Sequence, residues 1–268
     1  MEGHKLAARK QWNATPCGTG EYLSALDPGS REFFDAVRHN RYEVTDRWMT
    51  RAIDFEMARG KKLLEIGYGL GTDLLMFCEG GAEVYGVDLS EEHHRLAQQN
   101  FEVHGKPCVL KLGDAASLDF PDGFFDYVYS HGALHHTPDT ERCLSEARRV
   151  LKPGGRMILS LYHTYSAYHL FSMLLYQGML KGKLAELGYR GLMSTVEYGA
   201  NGRDIKPLVK TYSKKRLKRL MADLSSVEFR IAHINREHIP KLGKLMPGFL
   251  ERRLEKRLGW YIIAFAAK

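Results

Sequence analysis

Three glycines spaced two residues apart, Gly67, Gly69 and Gly71, follow a short apolar run from Leu63 to Ile66 and lead into a second apolar stretch, Leu70 to Cys78. Without a Cβ, a glycine reaches backbone angles closed to other residues and lets a ligand lie against the main chain. The first run reads as a buried strand and the second as a helix, whose free N–H groups point back at the glycine turn. In this order they form a nucleotide-type cofactor site at the carboxyl edge of a parallel sheet. Three carboxylates end neighbouring apolar runs. Asp88, about twenty residues after the glycines, can accept hydrogen bonds from both hydroxyls of a ribose. Asp114 is placed to accept from the exocyclic amine of a base, and Glu65 to hold a cationic or amine group by charge-assisted hydrogen bonding. Each alone also reads as a turn or cap residue; their order and spacing together carry the signal.

The elements that must position these groups alternate regularly. Further strands are expected over Glu83 to Val87, Pro107 to Leu112, Phe124 to Ser130 and Arg156 to Leu161. Helices are expected over Glu91 to His104, with Ser90 as N-cap, and over Thr140 to Leu151, closed by Lys-Pro-Gly-Gly. Strands alternating with amphipathic helices mean βαβ units and a parallel sheet covered on both faces. Before them, Trp12 to Thr19 reads as a turn-rich loop, and Arg31 to His39 and Thr45 to Arg59 as helices. Residues 1–60 thus form a helical arm long enough to lie over the glycine site. After the fifth strand come one or two apolar helices over Tyr165 to Leu187, a loop from Glu197 to Lys210, and a basic helix capped by Ser213. Two closing strands, Val227 to Ile234 and Trp260 to Ala267, suggest an antiparallel pair at one sheet edge. Residues 61–268 then form one domain, with a cap insertion at about 163–224.

A chain of 268 residues, 44% hydrophobic and 26% charged, has the composition of an ordinary globular protein. The N-terminus shows no apolar leader, and the longest apolar stretch, Ala167 to Leu180, is too short to span a bilayer, so a cytoplasmic protein is expected. Four scattered cysteines argue against a zinc site or a disulfide framework, and no metal is expected. Of the net charge of +7, the excess lies between Arg203 and Arg257, with sixteen Lys/Arg against six Asp/Glu. Such a region can meet phosphates, anionic lipid or an acidic substrate. It also fits a solvated helix face, since Leu217, Leu220 and Met221 form a buried stripe.

The segments Leu64 to Thr72, Val84 to Ser90, Gly113 to Val128, Gly132 to Asp139 and Arg149 to Gly155 carry a resemblance to a known family. They resemble the class I S-adenosylmethionine (SAM)-dependent methyltransferases, in the small-molecule branch related to UbiE/menaquinone-type enzymes. The likeness implies a Rossmann-like, doubly wound α/β fold with a seven-stranded sheet, order 3-2-1-4-5-7-6, strand 7 antiparallel. It implies SAM as cofactor and S-adenosylhomocysteine (SAH) as product. Glu65, Gly67, Gly69 and Gly71 would face the amino-acid part of SAM, with Tyr68 and Thr72 in the same turn. Asp88 and Leu89 would face the ribose, Asp114 and Ala115 the adenine, and Ser130 or His131 the underside of the methionine part.

The reaction implied is an in-line displacement at the sulfonium methyl, catalysed largely by positioning. A base is needed only for a hydroxyl or protonated amine acceptor. His135, His136 and His163 are candidates for a base or an acceptor contact, and Trp12, Tyr22, Tyr162 and Tyr165 for the acceptor pocket; turn geometry or packing accounts for each equally simply. An apolar cap beside a basic region suits a hydrophobic or amphiphilic small-molecule acceptor, and extends to peripheral membrane contact. A nicotinamide-dependent oxidoreductase would want G-x-G-x-x-G, whereas position 72 is Thr. A nucleic-acid methyltransferase acting on a base amine would want an Asn/Asp-Pro-Pro-Tyr motif after strand 4, and this chain has none there. A protein methyltransferase and a non-catalytic SAM-binding protein remain as alternatives.

Overall fold

The computed structural model describes residues 2–197, 207–240, 243 and 247–268. At its centre lies a seven-stranded sheet in the order β3-β2-β1-β4-β5-β7-β6. The strands are β1 (Lys62–Ile66), β2 (Glu83–Asp88), β3 (Val109–Leu112), β4 (Phe125–His131), β5 (Leu151–Tyr162), β6 (Ser226–Ala232) and β7 (Tyr261–Ala267). The first five are parallel, and β7 runs antiparallel to both β5 and β6, between which it is inserted. The expected strand order is therefore the order found. An arm of α1 (Glu2–Ala14), α2 (Arg31–His39), a π-helical continuation Asn40–Thr45 and α3 (Met49–Ala52) precedes β1. Helices α4 (Thr72–Glu79), α5 (Glu91–Val103) and α6 (Thr140–Val150) connect parallel strands. A π-helix, Tyr168–Leu180, then α7 (Lys183–Ser194) and α8 (Lys214–Leu220), follow β5, and α9 (Gly248–Leu258) leads into β7.

Strand alternation decides which side chains meet which helix layer. Leu64 and Ile66 enter one core layer with Cys143, Leu144 and Ala147 of α6, and with Leu217 of α8. Leu63 enters the other, with Leu74, Leu75 and Phe77 of α4 and Phe101 of α5. The same period puts Glu65 on the side of Leu63, a carboxyl buried to 2% exposure beneath α4 and the arm. Ser30, Ser90, Asp139 and Ser213 cap α2, α5, α6 and α8 by accepting a backbone N–H at the third position of each helix. Among the described residues no helix is long and apolar enough to cross a membrane.

Several local expectations are corrected. Trp12 lies on α1, not in a loop, because that helix continues to Ala14. Of the helix expected over 45–59 only Met49–Ala52 forms; the Asp54 carboxylate accepts the Glu56 N–H at 2.9 Å, a local bond that competes with helix continuation. The Lys-Pro-Gly-Gly segment does not separate α6 from its strand: β5 begins at Leu151, with a register shift opposite Phe125 and Tyr127. The apolar segment after β5 breaks at Gly182, whose φ of 72° starts α7 in the left-handed region. The loop expected over 197–210 lies largely outside the described residues.

The arm is tied to the sheet by one buried carboxylate. Asp73, in the first turn of α4, accepts two hydrogen bonds from Arg41, both at 2.7 Å. It also accepts the hydroxyls of Tyr42 at 2.6 Å and Tyr129 at 2.9 Å. Burial pushes its acidity toward the neutral form, but the Arg41 guanidinium and these donors outweigh it and bring its pKa to about 2. Removing the charge takes from Arg41 its nearest counter-ion and leaves only Asp46 at 3.8 Å, a loss whose upper bound is about 3–5 kcal/mol. Asp73→Asn is therefore expected to lower the urea midpoint by a corresponding amount. Because the folded pKa is depressed, this stabilisation is complete above about pH 4 and lost as pH falls through about 2. The variant should lack that segment of the wild-type acid-stability profile.

Candidate active site

The carboxyl ends of β1, β2 and β4 and the loop after β3 open into a cavity of about 400 Å³, roofed by residues of the arm. Its floor is the glycine turn. Gly67, Gly69 and Gly71 have φ of 78°, 55° and 74°. They serve different ends. At Gly67 a Cβ would stand 2.2 Å from the Cβ of Ala133, so close packing alone demands glycine. Gly71 lies against Ala97 and Phe101 of α5 and does not line the cavity. Gly69 has room around it, and its N–H donates to Asp88 at 3.0 Å.

Asp88 lines the cavity and also organises the turn. One carboxylate oxygen accepts from Gly69, the other from the N–H of Ser90 at 2.9 Å. His93 adds a third bond. Its Nε2 lies 3.1 Å from the Cys17 N–H, which can only donate, so the ring proton sits on Nδ1 and is directed at Asp88, 3.2 Å away. Asp114 accepts the Ala116 N–H at 2.9 Å and pairs with Lys5 of α1. That helix is docked by polar contacts: Asn13 bonds Glu91 and Ser90 at the start of α5, and Arg9 pairs with Glu91.

At the end nearest the sheet, Glu65 has a buried carboxyl oxygen, Oε2, without a hydrogen-bond partner. Burial first, and then the negative charge of Asp73, raise its pKa well above the usual carboxylate range; Arg41 only partly offsets this. Arg41 lines the same end. On β4 the two-residue period separates neighbours. His131 lines the cavity between Trp48 and Tyr261, with its pKa pushed down to about 4 by burial and by Arg41. Ser130 points to the other side and donates to the Ile66 carbonyl at 2.8 Å. Trp12, His136, Tyr162 and Glu197 line the cavity as well, with the Tyr162 hydroxyl donating to Glu197.

Residues 64–159 match the family described as the methyltransferase domain. Demethylmenaquinone methyltransferase of Thermus thermophilus is 36% identical over 116 residues, 42% of this chain and 53% of the relative. Phosphatidylethanolamine N-methyltransferase of Cereibacter sphaeroides is 38% identical over 104 residues, 38% of this chain and 51% of the relative. The chain thus spans about half the length of these curated relatives. Magnesium protoporphyrin IX methyltransferase of Synechocystis, solved with bound SAH, shares the fold at a TM-score of 0.54 and 17% identity, covering 99% of both chains. The methyltransferase domain is of the SAM-dependent class I type, and SAM is the cofactor of that class.

Within the methyltransferase domain, the cavity brings together Glu65, Gly67, Tyr68, Gly69, Thr72, Asp88, Leu89, Asp114, Ala115 and His131, with Trp12, Tyr22, His136 and Tyr162 around them. Tyr68 turns its hydroxyl to His94 at 2.8 Å while its ring packs over Gly86. Five residues singled out in the sequence are not part of the lining, Gly71 among them. Ser130 is on the wrong face of β4. His135 is fully buried behind His136, its ring 3.8 Å from that of Tyr162. His163 bonds the Gly259 carbonyl at 3.2 Å, and Tyr165 is 58% exposed beside it. Arg41, His93 and Glu197 escaped the sequence reading. Only Ser90 as N-cap hinted at one of them, since it fixes His93 in the first turn of α5.

Gly67→Ala is expected to destabilise the domain both through its contact with Ala133 and through a φ that alanine tolerates poorly, the latter costing about 1–2 kcal/mol. Adding Ala133→Gly should recover the steric part and leave the backbone part, read as a partial return of the thermal midpoint.

Proposed function

We propose that the chain transfers the methyl group of SAM to a small-molecule acceptor. The observation that carries this reading is the unpartnered carboxyl oxygen of Glu65 in a cavity that Arg41 also lines. A buried acid lacking a partner and a neighbouring fixed cation suit the two charges of an amino-acid end: the ammonium on Glu65, the carboxylate toward Arg41. The glycine turn then lies under the chain linking that end to a ribose on Asp88 and Leu89, with an adenine between Asp114 and Ala115. Bound SAM would supply an electrophilic methyl on a sulfonium. The residues' part is to exclude water, hold the acceptor atom about 3–3.5 Å from the methyl and keep it in line. In this reading residues 1–60 are a lid, and the insertion at about 163–224 shapes the acceptor end. The relatives' printed names, a demethylmenaquinone and a phosphatidylethanolamine methyltransferase, support a small-molecule acceptor.

Calorimetry with SAM, SAH and NADH tests it: SAM and SAH should bind and NADH should not. Asp88→Ala should lose most SAM affinity while keeping the far-UV circular dichroism of the wild type. The raised pKa of Glu65 gives a second signature. Pairing with an ammonium requires its ionised form, so binding should release a proton, and affinity should fall as pH drops below that raised value. Heats measured in two buffers of different ionisation enthalpy reveal the proton, and Glu65→Gln should abolish it.

A second reading, membrane contact, is favoured by the π-helix, which leaves Phe171, Leu175 and Met179 exposed at four-residue spacing, with Leu180 beside them. Flotation with anionic vesicles checks this, and Leu175→Ser with Met179→Ser should weaken it; no flotation of the wild type removes the membrane contact.

A further inference from the structure

The acceptor end of the cavity holds a negative charge that no Lys or Arg among the described residues balances. Glu197, just after α7, has a side chain 13% exposed. It accepts the Tyr162 hydroxyl, and its Oε1 lies 3.8 Å from Nε2 of His136. The aromatic groups beside it are Tyr162, stacked on Trp260 at 4.2 Å, and Trp12, set edge-on to His136 at 5.5 Å.

The protonation of His136 follows from its partners. Its Nδ1 is 2.8 Å from the carbonyl oxygen of Leu208, which can only accept. Nδ1 therefore donates to Leu208, which leaves Nε2, on the Glu197 side, as the nitrogen that can exchange a proton. His135, its sequence neighbour, has no partner for either nitrogen and no exposure. One histidine of the pair can take a proton from a ligand; the other is walled in.

Resting on the methyl-transfer reading, we propose that this end of the cavity receives an amine acceptor. Its ammonium form pairs with Glu197 beside the rings of Tyr162 and Trp12, and His136 Nε2 removes the proton that blocks attack. A partly buried carboxylate without a cation is costly, and a cationic ligand among aromatic groups relieves that cost. A hydroxyl acceptor would satisfy hydrogen bonds but leave the charge unbalanced, and a carbon or thiol acceptor would use neither group. In the step itself, an ammonium proton passes to His136 Nε2, and the imidazolium is stabilised by Glu197. The freed nitrogen lone pair forms the N–C bond to the methyl. The C–S bond breaks with its electron pair on sulfur, giving SAH and a methylated ammonium, and His136 then returns its proton to solvent.

The test uses the full chain saturated with SAH and titrated with benzylamine, phenethylamine and octylamine, and with the alcohols of the same skeletons. At least one amine should bind, its alcohol counterpart at least about tenfold more weakly, and Glu197→Gln should erase the difference. SAM and SAH affinities should both be unchanged in that variant. His136→Gln should keep amine binding but slow amine-dependent formation of SAH from SAM by about 100-fold or more. The proposal is overturned if no amine binds, if a bound amine is never methylated, if alcohols bind equally, or if either substitution is without effect. It is also overturned if Glu197→Gln weakens SAM but not SAH, because Glu197 would then balance the sulfonium. A stoichiometric divalent metal lost in Glu197→Gln would overturn it too, since nitrogens of His135 and His136 and a Glu197 oxygen lie within 4.8 Å of one another. Wild-type protein that binds neither SAM nor SAH would instead sink the cofactor reading on which this one stands.

Discussion

The ion pair between Asp73 and Arg41 is the constraint on which the rest of the molecule turns. It joins residues 32 positions apart in sequence, one on the arm and one in the first turn of α4, with two tyrosine hydroxyls closing the remaining acceptor sites. A charge pair this deep gains little net energy over apolar packing, but either half alone would be very costly, so the arm and the sheet must stay together. Asp73 is held ionised and Arg41 charged by each other, whereas burial first drives the nearby Glu65 and His131 toward their neutral forms, with Asp73 adding to it at Glu65 and Arg41 at His131.

Four of the carboxylates that line the cavity differ in character through their burial and hydrogen bonding. Asp73 is saturated with donors and structural. Asp88 shares its oxygens between the glycine turn, the start of α5 and the open cavity. Asp114 is engaged by Lys5 of the arm. Glu65 alone has an oxygen that nothing in the described protein satisfies on the sheet side. Environment, more than residue type, divides the labour among them.

How much of this was legible in the sequence depended on range. The glycine turn, the strand ends and the alternation from Leu63 to Ile66 are local patterns, and the sheet follows from them. The docking of α1 is not, because Asn13, Arg9 and Lys5 hold it by polar contacts that leave no apolar periodicity. Arg41 and Glu197 carry no motif; each matters only through what the fold brings to it. His135 and His136 are indistinguishable as letters. They part company only because one ring is sealed against Tyr162 while the other reaches the cavity. Ser130 and His131 separate for a simpler reason, the strand period, which a sequence reading can use once the inward face is known.

The place of β7 in the sheet has a consequence for how the chain is made. It follows β6 in sequence but enters between β5 and β6, pairing with both. During synthesis β5 therefore waits with an open edge, and β6 has no strand to join, until the residues after α9 have emerged. Isolated strands with unpaired backbone groups invite pairing with other chains. The interval between translation of β6 and arrival of β7 is thus the period in which a nascent copy is most exposed to aggregation.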